Sequence, residues 1–214
     1  MPRAVATAEI SARLDSAGFN LPAAQIAALG EFLELLARWN RVYNLTGIRN
    51  TDELIERHLV ESLALKPLLR GERIADVGTG AGLPGVPLAI TEPGRMFTLI
   101  ESRAKRVRFL RHVVGHLGLA NTEVAHSRAE HLLVDRPFAT VLARAVAPPK
   151  QLLEICRHLT APGSILLLLT ATHLQDEFRD LAPDFVVREI DRQKRGPPLR
   201  SSIVLLERIK AEDC

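Results

Sequence analysis

The segment RIADVGTGAGLPGVPLAITEPGRMFTLIE, residues 73–101, restricts the possible folds more than any other part of this chain. Arg73 to Val77 is an apolar run of strand length, followed directly by a turn of the form Asp76-x-Gly78-x-Gly80-x-Gly82. A helix is predicted from Pro84 to Ile90 and a second strand from Met96 to Glu101. Strand, tight glycine loop, helix, and a strand ending on an acid form the layout of a nucleotide-cofactor site at the carboxyl end of a parallel sheet. Glycine leaves no Cβ between backbone and ligand, and an acid about twenty residues on can accept hydrogen bonds from both hydroxyls of a ribose.

The glycine spacing narrows the cofactor. A dinucleotide loop reads Gly-x-Gly-x-x-Gly and sets a pyrophosphate at a helix amino terminus. Here the third glycine comes one position early, and Asp76 and Glu101 flank the loop. Two acids repel a pyrophosphate but suit a cofactor that carries a sulfonium and an amino group. The expected cofactor is therefore S-adenosyl-L-methionine. The competing structural reading makes Asp76 a loop cap and Glu101 a solvated strand end.

The rest of the chain alternates in the same way. Strands are predicted at 123–125, 139–143, 165–169, 185–190 and 202–208, and the last two as an antiparallel hairpin at one edge. Helices are predicted at 103–116, near 129–132, from Pro148 or Pro149 to Leu159, and at 173–181. Residues 1–70 form a helical extension: Ile10, Leu14 and Ala17 make a short stripe. Ile26, Leu29, Leu33, Leu36 and Trp39 make a longer one, and a third helix runs from Thr51 or Asp52 through Ile55, Leu59 and Leu63. Such faces have too little to bury alone, so the extension should pack on a core domain over 71–210. With 214 residues, 47% of them hydrophobic, the chain can build one substantial core.

Several classes are disfavoured. No run of eighteen apolar residues offers a membrane span, and Glu9 and Arg13 interrupt any signal-peptide core. Only Cys156 and Cys214 are present, which suggests neither a disulfide framework nor a metal site. A reducing cytoplasm, no bound metal and a monomer are the expectations. Net charge is only +3, yet the basic residues are mostly arginine, gathered at Arg103–Arg111 and Arg188–Arg200. Arginine's planar fork suits phosphate and base edges, so a nucleic-acid substrate fits, although genome composition also produces arginine.

Three blocks carry a wider resemblance: Trp39-Asn40-Arg41-Val42-Tyr43-Asn44-Leu45-Thr46; Arg57-His58 with Ser62; and Asp76-Val77-Gly78-Thr79-Gly80-Ala81-Gly82-Leu83-Pro84-Gly85. Lys105-Arg106-Val107-Arg108-Phe109-Leu110, Ser127-Arg128-Ala129-Glu130 and Ala143-Arg144-Ala145 continue it in order. With these the chain resembles the bacterial small-subunit ribosomal RNA guanine-N7 methyltransferases, also described as glucose-inhibited division protein B, over roughly residues 35 to 209. The resemblance implies a Rossmann-like class I methyltransferase fold with a mostly parallel seven-stranded sheet. It implies methyl transfer from S-adenosylmethionine to N7 of guanine 527, in the 530 loop of 16S ribosomal RNA. The partner it implies is that RNA or the small ribosomal subunit.

Cofactor contacts are then expected from Asp76, Gly78, Thr79, Gly80, Gly82, Leu83, Glu101, Ser102, Ala129, Glu130 and Arg144. Arg144 is also the candidate catalytic residue, bridging RNA phosphate or donating to guanine O6; its alternative is an ion pair with a nearby acid. Substrate contacts are expected from Asn40, Tyr43, Asn44, Arg128, Arg192, Arg195 and Arg200. For Asn40, Tyr43 and Asn44, helix capping and packing is an equal alternative, and His58 is expected to pack rather than catalyse. Leu169-Thr170-Ala171 departs from the Leu-Lys-Gly common in the family, so Thr170 is not given the lysine's role. The alternatives are a methyltransferase for another RNA, a protein side chain or a small molecule, a non-catalytic ribosome-binding factor, and a nicotinamide-dependent oxidoreductase. The early third glycine disfavours the last.

Overall fold

The computed structural model describes residues 7–48, 50–144, 148–170, 184–189 and 201–209. Two helices, α1 (Thr7–Ser16) and α2 (Ala23–Tyr43), lead into a segment that changes helix type twice. It begins as α3 (Thr51–Leu54), widens to a π-helix over Ile55–Val60, and closes as α4 (Glu61–Leu63). The alternating part follows as β1 (Arg73–Val77), α5 (Gly85–Thr91), β2 (Met96–Glu101), α6 (Ala104–His116) and β3 (Thr122–His126). It continues through β4 (Thr140–Arg144), α7 (Pro149–Arg157), β5 (Ile165–Thr170), β6 (Phe185–Glu189) and β7 (Ser202–Arg208). The segment predicted as a helix near 129–132 is a single 3-10 turn, Ala129–His131. The predicted helix at 173–181 and the loop at 196–198 lie outside the described residues.

One seven-stranded sheet results, in the order β3-β2-β1-β4-β5-β7-β6. β1 to β5 pair in parallel, and β7 runs antiparallel to both β5 and β6. The expected hairpin is thus at one edge, with β7 inside and β6 outermost. Strand order reverses between β1 and β4, and in open α/β sheets the crevice at such a reversal is where ligands bind.

β5 shows why its apolar run reads as a central strand. Leu166 and Leu168 pack with Leu152, Cys156 and Leu159 on one face of the sheet. Ile165, Leu167 and Leu169 face Leu88 and Ala89 of α5 on the other. With both faces covered, no polar alternation is needed. The amino-terminal helices share a core with that second layer: Ile10, Leu29 and Leu33 join Val86, Leu110 and Val113. Each fully buried Leu or Ile is worth roughly 1.5–3 kcal/mol, a gain two isolated helices would not have.

The third predicted helix differs in kind from the expectation of a regular α-helix. Through the π-turn, two carbonyls find donors outside the helical ladder: Ser62 Oγ donates to His58 O at 2.5 Å, and Arg144 Nη1 to Arg57 O at 3.0 Å. A side chain inserted at a carbonyl is one of the physical causes of a break in α-helical register. Among the described residues, no helix is long and apolar enough to cross a membrane.

Candidate active site

The glycine loop is organised from beneath by Asp76. Alternation along β1 puts Asp76 on the same face as Ile74, toward α5. Its Oδ2 accepts from Thr79 Oγ1 at 2.5 Å and from the Gly85 amide at 2.9 Å. Gly85 is compulsory there, since a Cβ would come within 2.4 Å of Leu99 Cδ2 and 2.7 Å of Asp76 Oδ2. Asp76 is 1% exposed, its Oδ1 has no partner, and burial pushes its carboxyl up to about 7 against the pull of the Thr79 and Gly85 donors. The structure therefore gives Asp76 the work of a loop cap, the competing reading of the sequence.

In the loop itself Gly78 and Gly80 take φ of 61° and 59°, which glycine adopts without strain, and leave no Cβ on the backbone that borders the cavity. Glu101, the last residue of β2, is 4% exposed and turned onto this loop. Its Oε2 accepts the Gly80 amide at 3.1 Å and its Oε1 the Arg103 amide at 2.8 Å, while Arg106 Nη1 lies 3.5 Å from Oε2. Two lone pairs per carboxylate oxygen leave one on Oε1 free to accept from a ligand, while both on Oε2 are taken by Gly80 and, at a long 3.5 Å, by Arg106.

Two cavities meet at this acid. The larger, of about 780 Å³, is lined by Gly78, Thr79, Gly80, Leu83, Glu101 and Ser102, and across from them by Thr46, Arg57, His58 and Arg144. The smaller, of about 350 Å³, is lined by Ser127, Arg128, Ala129, Glu130 and Gln151. Gly78, Glu101, Ser102 and Arg103 border both. The structure thus brings the residues read from the loop and from the ends of β2, β3 and β4 to one cleft. Asp76 and Gly82 line neither cavity, and Arg192, Arg195 and Arg200 lie outside the described residues.

Arg144 closes β4 with its guanidinium tied down. Beyond the bond to Arg57 O, its Nη2 lies 3.3 Å from Glu61 Oε2, and Ser201 Oγ donates to Glu61 Oε1 at 3.1 Å. Glu61 is 1% exposed. The nearby acid of the alternative reading is therefore Glu61, which a plain helical stripe gave no reason to single out. Burial depresses Arg144, with Glu61 opposing and Arg57 adding to the shift. His58 is buried beside it, and burial, then the charge of Arg144, holds its imidazole down at about 4. Its Nε2 is 3.2 Å from Thr46 Oγ1, and its Nδ1 has no partner.

The Trp39–Thr46 block serves this wall from behind. Asn44 caps α2 in the left-handed region at φ 49°, and Asn40 Oδ1 accepts the Thr46 amide at 2.9 Å. Tyr43 packs on Trp39, ring centroids 5.3 Å apart. These are the capping and packing roles of the alternative reading. Neither cavity is lined by Asn40, Tyr43 or Asn44, whereas Thr46, which Asn40 positions, does line the larger one. Sequence reasoning passed over Thr46, Arg57 and Glu61; the adjacent Arg57-His58 was the available signal for that wall.

Comparisons with known proteins agree with this geometry. The family described as rRNA small subunit methyltransferase G matches residues 25–195. The Ribosomal RNA small subunit methyltransferase G of Cronobacter sakazakii is 42% identical over 179 residues, 84% of this chain and 86% of the relative. Among solved structures, a methyltransferase from Geobacter sulfurreducens superposes with a TM-score of 0.60 at 17% identity, covering 95% of this chain and 96% of its own. A SAM dependent methyltransferase from Aquifex aeolicus gives 0.60 at 18% identity, over 78% and 97%. The fold is the Rossmann-like class I methyltransferase fold, with helices added at the amino terminus.

Proposed function

The chain belongs to the rRNA small subunit methyltransferase G family, and we propose that it methylates N7 of a guanine in 16S ribosomal RNA, guanine 527 of the 530 loop. The donor is S-adenosyl-L-methionine, which supplies an electrophilic methyl group on a sulfonium sulfur. The enzyme acts in the cytoplasm, as a monomer, on the RNA or the small ribosomal subunit. The observation that carries this reading is the pair of cavities joined at Glu101, in a chain with this family's sequence.

The residues fit that donor. Glu101 would take one ribose hydroxyl on the free lone pair of Oε1 and the other on Oε2 in exchange for the long Arg106 contact, and the backbone at Gly78 and Gly80 would admit the ligand without a Cβ in the way. The smaller cavity at Ala129 and Glu130 would hold the adenine. Guanine N7 carries a lone pair and no proton, so the chain needs no general base. His58, held neutral down to about pH 4, is a poor base and a sound neutral wall. The work left to the protein is to align the reacting atoms and exclude water. Arg128, at the rim of the smaller cavity, is a candidate for RNA phosphate.

The test is single-turnover methylation of small-subunit RNA with the product mapped by mass. Expected are 7-methylguanine at one site and a rate nearly flat from about pH 6 to 9. A methyl group on ribose or on an exocyclic amine, or a rate rising tenfold per pH unit, would reject the mechanism.

A further inference from the structure

Arg57 has no assignment in the site as described so far, yet three observations set it apart. First, it lies inside the π-helical turn Ile55–Val60 and borders the larger cavity. Single π-turns recur at functional sites, because the extra residue redirects the side chains around it. Second, its Nε is buried with no hydrogen-bond partner, a costly state for a guanidinium donor. Third, its charge is unwelcome to its neighbours: it opposes the protonated forms of both His58 and Arg144. Among the described residues, Glu61, the acid that Arg144 meets, is also engaged by Ser201, and Glu53 lines the same cavity. A cation kept in a cavity against local repulsion is complementary to an anion that arrives from outside.

The order of the site says which anion. Glu101 lies where the two cavities join, and the smaller one runs toward Ala129 and Glu130. With the ribose on Glu101 and the adenine in the smaller cavity, the amino-acid end of the donor extends into the larger one. Its only anionic group is the α-carboxylate. We infer that Arg57 binds the α-carboxylate of the methyl donor, an inference that rests on the S-adenosylmethionine reading given above. An RNA phosphate is the less fitting partner. It would meet the exposed Arg103 at the mouth of the cavity before a guanidinium whose Nε is wholly buried.

The experiment is calorimetric titration of the full chain with S-adenosylmethionine and with its decarboxylated form, which keeps the sulfonium and lacks only the carboxylate. Wild-type protein should prefer the carboxylated compound by roughly 10- to 100-fold, the scale of a hydrogen bond between charged groups. In Arg57→Met the two affinities should converge, by a fall in the first alone, and Arg57→Lys should recover part of the preference. The unliganded Arg57→Met protein should melt no lower than wild type. Arg144 bonds to the backbone carbonyl of residue 57, which the substitution keeps. A preference that survives in Arg57→Met overturns the assignment, and so does a wild type that binds both compounds equally. If RNA affinity falls while the preference stays, Arg57 belongs to RNA instead. Wild-type protein that binds neither compound overturns the donor reading itself, a separate and recognisable outcome. Should Arg57→Met fail to fold, Arg57→Lys and the wild-type preference decide the matter.

Discussion

Each of the two walls beside the larger cavity buries a titratable group whose charged form is disfavoured, and the two shifts run in opposite directions. On the glycine-loop wall, burial raises Asp76 to about 7. On the π-helical wall, burial and then Arg144 lower His58 to about 4. The walls differ in where their partners come from. Asp76 is served by Thr79 and Gly85, three and nine residues away. The π-turn wall is held by Arg144, 87 residues from the Arg57 carbonyl it bonds, and by Ser201, 140 residues from Glu61. One wall is assembled by its own stretch of chain; the other exists only once the sheet has formed. A local wall should tolerate distant substitutions, whereas a composite wall should fail when any remote partner is lost.

Arg144→Ala should produce the largest effect. It leaves Glu61, 1% exposed, without its cation, and breaking a buried pair from one side costs about 3–5 kcal/mol. Urea denaturation should show the midpoint falling at unchanged slope, and Arg144→Met combined with Glu61→Leu should recover most of the loss. A variant of full stability that has lost only methyl transfer would make Arg144 a substrate residue, and the composite-wall account would fall. Glu101→Ala comes next, on the local wall. It should weaken S-adenosylmethionine by roughly 1–3 kcal/mol, the scale for removing a charged acceptor from its donors, read by calorimetry. Unchanged affinity would move the ribose elsewhere.

The opposite shifts give opposite pH slopes. Between about pH 4 and 7 folded Asp76 retains a proton that the unfolded chain has released. Its contribution to stability is therefore present at acid pH and is lost as pH rises through that window. Between about pH 4 and 6.5 the unfolded chain binds a proton that folded His58 excludes. Its contribution is lost as pH falls. Each slope is at most about 1.4 kcal/mol per pH unit. Relative to wild type, Asp76→Asn should gain stability as pH rises and His58→Gln should lose it, measured by urea midpoints at steps across the window. Parallel trends in the two variants would end the comparison. The smallest effect belongs to Arg128→Ala, since its contact with Glu130 spans 3.9 Å between exposed side chains. Melting should not move; RNA affinity should drop, with a flatter salt dependence if Arg128 meets phosphate. A clear loss of stability would show that this rim pair is structural.

Much of the fold was legible because its signals are short in range. The apolar run Ile165–Leu169 marks a doubly covered strand, and the glycines with Asp76 and Glu101 mark a loop at the end of a parallel sheet. Arg144 was legible as a strand-end arginine, but its commitment to Glu61 was not. Nor was the π-turn, because the stripe Ile55, Leu59, Leu63 has the ordinary four-residue spacing of an α-helix. The sequence by itself determined the alternation of elements, the loop and the acid that faces it, since each depends on backbone geometry and on hydrogen bonds between residues near in the chain. Only the tertiary structure decided which acid Arg144 meets and which wall His58 and Arg57 join. Those choices are made by donors and charges brought together from distant strands, and burial then sets their protonation, a property no residue has until it is surrounded.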